Sequence, residues 1–435
     1  MRRLTTLSVL FAGVACSWTR FDELEEHASV LVLEQPSGMV GFGSSLTSLA
    51  DANRVLVLVA GAPKAGNGAA VFQVGNGQEP NLDAFDIGQC STNDCALARG
   101  VAALPLARTP SGASKSACWV TGFEKLSPPA LSVACTETGQ QRYIYALDLP
   151  FTADADADQL TLASESLPPV GTAAFATALI AGVRDSTGSV GRAAAFAPSS
   201  STAIELVPPT SVDGFAAAVA VLRAPSSRYF LVGAPVAQQL WVFDEAGQSL
   251  GCLHGGEGFA RSLATGDVDG DGKDDLALAE GDHVLVLPGA RITSLTGSCR
   301  EVEPADVMVS LKCRNSSDVG GCASGFGDAI AIGDIDGNGD GEVAVGAPGA
   351  SVRGESAAGA VFVYDVDLAR PNPEFVTEER FIASSGSGDR LGAAVTFAPQ
   401  KDRQLLIAGA PAAGKVAIFY CSKLLPAGRR GSRCE

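Results

Sequence analysis

Apolar residues along this chain fall in short, unbroken runs. Val30-Leu31-Val32-Leu33, Leu276-Ala277-Leu278-Ala279 and Val284-Leu285-Val286-Leu287 are examples, each bounded by Gly, Pro, Asp or Ser. Runs of this length between turn residues predict strands, and no long stretch carries a helical period.

The runs recur as one repeated unit. An aromatic-Gly or similar opening leads to an alternating Ala-rich strand, a second strand ends near Gly-Ala-Pro, and Gly-Ala-Val-Phe follows. The clearest copies begin at Phe42-Gly43 and reach Gly61-Ala62-Pro63, at Phe326-Gly327 and reach Gly346-Ala347-Pro348, and at Leu391-Gly392 and reach Gly409-Ala410-Pro411. Partial copies open at Phe215-Ala216 and Phe259-Ala260, and weaker ones at Arg99-Gly100 and Phe175-Ala176. The seven openings lie 40 to 76 residues apart, a length that suits a four-stranded blade. One small sheet cannot hide both faces, but sheets packed radially bury each face against a neighbour. The expected fold is therefore an all-β, seven-bladed β-propeller over residues 30–420. Val30-Leu31-Val32-Leu33 is a candidate strand to complete the last blade and lock the ring.

Composition supports many short strands and tight turns: 50 Gly and 23 Pro against 18% charged residues. Aromatics are only 6%, so Ala, Val, Leu and Ile must fill the interior. A formal net charge of −17 supplies no basic surface to displace counterions from phosphates, which argues against nucleic acid as a partner and favours cations as ligands.

Two segments concentrate that charge. They read Asp267-Val268-Asp269-Gly270-Asp271-Gly272-Lys273-Asp274-Asp275 and Asp334-Ile335-Asp336-Gly337-Asn338-Gly339-Asp340-Gly341-Glu342. Each puts oxygen-bearing side chains at positions one, three, five and nine, with Gly at four and six where the backbone must turn around an ion. An oxygen-only donor set of this kind selects a hard cation. An EF-hand is excluded, because its bidentate Glu at position twelve is replaced by Leu278 and Val345, and strand rather than helix follows. Asp154-Ala155-Asp156-Ala157-Asp158 lacks the turn glycines and reads as a solvated loop.

Taken together, these openings, Gly-Ala-Pro segments and acidic hairpins resemble the FG-GAP repeats of integrin α-subunit propellers. The resemblance implies two calcium sites. Their ligands would be the side chains of Asp267, Asp269, Asp271 and Asp275 with the Lys273 carbonyl, and those of Asp334, Asp336, Asn338 and Glu342 with the Asp340 carbonyl. Glu342 stands where the family has Asp. The resemblance also implies structural calcium, holding the hairpins of the fifth and sixth blades, and a binding or adhesion role toward a protein or glycan.

The N-terminus carries an export pattern: Arg2 and Arg3, then an apolar stretch from Leu4 to Val14, with Ala15 before Cys16. It resembles a bacterial lipoprotein signal, which implies residues 1–15 as signal peptide, lipidation at Cys16 and a tether over 16–29. Gly13 departs from that pattern, and ordinary cleavage after Ala15 with secretion is the alternative. The expected location is extracytoplasmic, with the membrane reached through the lipid alone. Residues 421–435 form a C-terminal tail. Setting Cys16 aside leaves ten of the 11 cysteines, with Cys90 and Cys95, Cys118 and Cys135, Cys313 and Cys322, Cys421 and Cys434, and Cys252 and Cys299 as candidate pairs. Spacing does not fix connectivity. With three histidines and no Cys-x-x-Cys, zinc lacks ligands in the sequence, and an oxidising compartment fits better.

Catalytic signatures are missing: no Gly-x-Ser-x-Gly, His-Glu-x-x-His or Walker loop occurs, and His27, His254 and His283 stand apart from one another. A binding module is the expected function and no enzyme activity is expected. The competing reading is a secreted polysaccharide hydrolase or lyase using a carboxylate pair in the propeller channel.

Overall fold

Each repeated unit folds as an antiparallel meander because its strands are short, alternate in character and are joined by tight turns. Sheet I comprises Ser45–Asp51, Arg54–Ala60 and Ala69–Val74. Sheet II comprises Cys95–Leu104, Ala117–Glu124, Ala130–Thr136 and Arg142–Asp148. Sheet III holds Ala157–Ser164, Leu179–Asp185, Gly191–Phe196 and Ile204–Leu206. Sheet IV holds Ala218–Arg223, Arg228–Ala234, Gln239–Phe243 and Ser249–His254, with Cys299–Glu301 added parallel to the last. Sheet V holds Leu263–Gly266, Asp275–Glu280, His283–Leu287 and Val309–Lys312. Sheet VI holds Ala329–Gly333, Glu342–Ala347, Ala360–Val366 and Val376–Ala383. Sheet VII holds Ala394–Pro399, Gln404–Ala410 and Lys415–Phe419. The computed structural model describes residues 202–313 without a break, nearly all of 319–366 and 386–419, the strand 376–383, and the strands with a few adjoining residues between 19 and 198.

The sheets form an all-β propeller. First strands of successive sheets lie side by side, and Ala394–Pro399 lies beside Ser45–Asp51, where Ser48 Oγ donates to the Phe397 carbonyl at 2.5 Å. The number of blades corrects the expectation of seven. Five sheets, III to VII, are established as blades of four or more strands with described cores. Sheet I has three strands, residues 75–94 beyond it lie outside the described residues, and many side chains of sheets I and II do so as well. The weak second copy also deviates locally: Arg99 and Gly100 sit inside the strand Cys95–Leu104, where pairing jumps from Leu97 to Ala102, instead of preceding it.

Val30–Glu34 pairs antiparallel with Lys415–Phe419, Val30 opposite Phe419 and Glu34 opposite Lys415, so an N-terminal strand supplies the fourth strand of sheet VII. Thr19–Arg20 pairs with Ile382 and Ala383 at the edge of sheet VI, within the stretch expected to be a tether.

The core is divided into clusters between neighbouring sheets, as radial packing requires. Between III and IV it centres on Phe215, Phe230 and Phe243; between V and VI on Phe326, Phe362 and Tyr364. Phe326 meets Phe362 edge-on at 5.7 Å, a preferred aromatic geometry.

This packing explains the repeated motif. The opening aromatics Phe42, Phe215, Phe259 and Phe326 are buried wedges, and Leu391 takes the same place. The next residue turns left-handed, at φ 89° in Gly43, 84° in Gly327 and 85° in Gly392. Its N–H donates to its own sheet, from Gly327 to the Gly346 carbonyl and from Gly392 to the Gly409 carbonyl, each at 2.9 Å. Its carbonyl presses on the Gly of the Gly-Ala-Pro segment one sheet earlier. A Cβ on Gly346 would lie 2.0 Å from the Gly392 oxygen, and one on Gly409 2.0 Å from the Gly43 oxygen. Glycine is needed there because backbone meets backbone.

Candidate functional site

The two acidic segments are the turns between the first and second strands of sheets V and VI, as expected of hairpins. In the first, Asp267 follows Leu263–Gly266 directly and Asp275 begins Asp275–Glu280. In the second, Asp334 follows Ala329–Gly333 and Glu342 begins Glu342–Ala347. A short polar side chain at position one accepts from the amides of the turn, which is what Asp does readily. Asp267 Oδ1 accepts from Asp271 N at 3.1 Å and Oδ2 from Gly272 N at 2.8 Å. Asp334 Oδ1 accepts from Gly337 N at 2.5 Å and Asn338 N at 3.2 Å, and Oδ2 from Gly339 N at 3.1 Å. Gly270, Gly272, Gly337 and Gly339 all have positive φ, between 73° and 102°.

Position nine closes both loops in the same way. Val268 N donates to Asp275 Oδ2 at 3.1 Å, and Ile335 N donates to Glu342 Oε2 at 2.8 Å. Both carboxyl groups are buried beneath the turn. The longer Glu342 side chain therefore reaches the same backbone donor as the Asp.

In the first loop the structure brings Asp267, Asp269 and Asp275 together, with carboxylate oxygens all within 4.8 Å of one another. Asp271 stays outside that group; its Oδ1 accepts from Lys273 N at 2.9 Å and its Oδ2 pairs with the Lys273 ammonium. Burial pushes the Asp275 carboxyl up to about 7, and the neighbouring Asp269 and Asp267 charges add to this against two backbone donors. Burial likewise raises Asp267, with Asp269 and Asp271 as further like charges. An oxygen-only cluster whose members resist ionising side by side fits a hard divalent cation, which offsets the repulsion. In the second loop, Asp334, Asn338, Asp340 and Glu342 occupy matching backbone positions, with Asn338 Oδ1 accepting from Asp340 N at 2.9 Å. Asp336 lies outside the described residues, as do Cys16, His27, Cys90, Cys421 and Cys434.

Asp274 was not singled out by the sequence pattern. It is fully buried, Arg223 N donates to its Oδ2 at 3.0 Å, and the Arg223 guanidinium pairs with its Oδ1 at 3.1 Å. The Asp274 amide donates back to the Arg223 carbonyl at 3.2 Å, so the first loop is clamped to sheet IV. Its only signal was a second Asp beside the one at position nine. The second loop packs on the first through Gly341, where a Cβ would lie 2.7 Å from the Asp267 carbonyl oxygen.

Two expected disulfides are present, Cys252–Cys299 and Cys313–Cys322. Cys118 and Cys135 are register partners on adjacent strands.

Two segments, residues 259–283 and 326–364, match the model of the FG-GAP repeat, and each contains one acidic loop. Comparison with curated proteins finds no match. Among solved structures, the crystal structure of BBS1N in complex with ARL6DN soaked with lead has a TM-score of 0.50, and the same complex soaked with mercury 0.52. Both are 10% identical to this chain and cover 92% of it and 98% of their own length. The chain thus carries FG-GAP repeats on a β-propeller.

Proposed function

We propose that the protein is a calcium-stabilised, extracytoplasmic binding module whose propeller loops contact a protein or glycan partner. The observation that carries the calcium reading is the convergence of Asp267, Asp269 and Asp275 under one turn, with Asp275 nearly buried. Two ions are assigned, one to Asp267, Asp269, Asp271, the Lys273 carbonyl and Asp275, the other to Asp334, Asp336, Asn338, the Asp340 carbonyl and Glu342. Support for an interaction role comes from the fold: strands joined backbone to backbone make a stiff platform, and the similar BBS1N propeller is found in complex with ARL6DN.

The same reading takes residues 1–15 as an export signal and Cys16 as the lipid attachment point.

The calcium assignment is tested by thermal unfolding of the purified chain with calcium and with excess EGTA. A ligand that binds only the folded state must raise the midpoint by mass action, and an unchanged midpoint removes the assignment. The binding role is tested with glycan arrays and pull-downs. Binding that survives substitution of channel carboxylates supports a module; turnover of a polysaccharide, lost on those substitutions, supports the hydrolase or lyase instead.

A further inference from the structure

The two acidic loops differ at position five, and with that in their chemical stability. Asp271-Gly272 fills positions five and six of the first loop, and Asn338-Gly339 fills those of the second. Asparagine is among the thermolabile residues. When glycine follows it, the next backbone nitrogen is held beside the side-chain amide and can close a five-membered ring on Cγ, with no Cβ in the way. Two other Asn-Gly pairs, Asn67-Gly68 and Asn76-Gly77, lie outside the described residues.

The surroundings of Asn338 favour that closure. Asn338 and Gly339 are both exposed. Gly339 has φ 102°, and nothing lies within 4 Å of where its Cβ would be, so no neighbour crowds this peptide. Asn338 Oδ1 accepts from Asp340 N at 2.9 Å, the Asx-turn bond that folds a side chain back over its own main chain. The same donor is placed to receive the negative charge that develops on Oδ1 during attack at Cγ. Gly339 N, the attacking atom, donates to Asp334 Oδ2 at 3.1 Å, so an acceptor for its proton is already in contact. The first loop lacks this chemistry. Asp271 Oδ1 accepts from Lys273 N at 2.9 Å in the same way, but a carboxylate paired with the Lys273 ammonium repels a nucleophile and has no ammonia to release.

We propose that Asn338-Gly339 is a self-modifying site, at which Gly339 N attacks Asn338 Cγ in the ion-free loop and calcium, by engaging Asp334 and Asn338, prevents it. The bond from Gly339 N to Cγ forms, the Cγ–Nδ2 bond breaks, and the Gly339 proton leaves on Nδ2 as ammonia. Water then opens the succinimide at either carbonyl. One opening yields aspartate, which matches position five of the first loop. The other yields isoaspartate, which routes the main chain through the side chain and shifts position five out of its frame. Loss of the ion thus becomes a permanent change in the loop. The protection by calcium rests on the reading of the loop as a calcium site.

The test incubates the full folded chain at neutral pH, in excess EGTA or in calcium, and reads residue 338 by peptide mass spectrometry. Aspartate and isoaspartate should accumulate there in EGTA. Free calcium at one hundred times the dissociation constant should slow this about a hundredfold, the factor by which mass action depletes the ion-free loop. Asp334→Ala in EGTA removes the acceptor of the Gly339 proton and should slow the reaction at least about tenfold, which a liability of the dipeptide alone would not show. Asn338→Gln, whose side chain would have to close a larger ring, should stay unmodified. The inference is overturned if residue 338 remains asparagine in EGTA, or if the rate is unchanged by Asp334→Ala or by calcium. In the last case, calorimetric calcium titration shows which reading has failed. Binding that is lost in Asp334→Asn but gives no protection overturns this inference alone; no binding at all overturns the calcium assignment with it.

Discussion

The loops at 267–275 and 334–342 share a backbone frame but differ in how charge is held. In both, position one caps the turn amides and position nine accepts from the amide of position two. The first loop adds Lys273 against Asp271 and Asp274 against Arg223, whereas the second has Asn338 at position five and Gly341 at position eight. Frame residues are set by the turn itself. The residue at position eight is set by what stands beside the loop: Asp274 meets a cation from sheet IV, and Gly341 meets the carbonyl of Asp267.

The sharpest way to break the comparison is at position eight. Asp274→Ala leaves the Arg223 guanidinium half-buried without its carboxylate and should cost about 3 kcal/mol, with or without calcium. Gly341→Ala should cost about 1–3 kcal/mol by overpacking against Asp267 and Ile332, and urea unfolding of both variants separates lost pairing from lost space.

Calcium should act on both loops alike. At free calcium one hundred times the dissociation constant, each site adds about 2.7 kcal/mol, so chelation should lower the unfolding midpoint in two separable increments. Asp267→Asn should remove one increment and Asp334→Asn the other, read by calorimetry.

Acidity distinguishes the first loop further. The Asp275 carboxyl, raised from 3.8 to about 7, is protonated in both folded and unfolded chains below pH 4. Between pH 4 and 7 the unfolded chain gives up this proton and the folded one holds it, so metal-free stability falls as pH rises through that window and stays low above it. Chelated protein should therefore melt higher at pH 5 than at pH 7.5. Calcium, by displacing the proton, should shrink the difference. Buried Glu165, also raised by desolvation despite its Arg228 partner, leaves a calcium-independent remainder of the same sign.

The smallest effect is expected at position seven. Lys273→Ala removes a fully exposed cation from Asp271 but keeps the backbone carbonyl, and should tighten calcium binding about two- to fivefold at low salt, with the gain lost at high salt. No such change should follow from Asp340→Ala if its carbonyl is the ligand.

Much of this was legible because it is local. Short apolar runs between turn residues gave strands, Gly at positions four and six gave the turn, and Phe326-Gly327 with Gly346-Ala347-Pro348 marked the ends of one blade. The Cys313–Cys322 and Cys252–Cys299 pairs followed from proximity in the chain and from what remained. Asp274 was not legible, since its role depends on Arg223, 51 residues earlier. The second copy was misplaced because Arg99-Gly100 mimics an opening while lying in a bulged strand.

By itself, the sequence determined the strands, the turns, the oxygen donors and the repeat, because each is fixed within a few residues by backbone sterics and hydrogen bonding. Only the tertiary structure decided which opening presses on which Gly-Ala-Pro, that Val30–Glu34 completes sheet VII, and which side chains stand between blades. Those depend on how far each sheet is rotated from the next, and that angle comes from packing whole faces together rather than from any short segment.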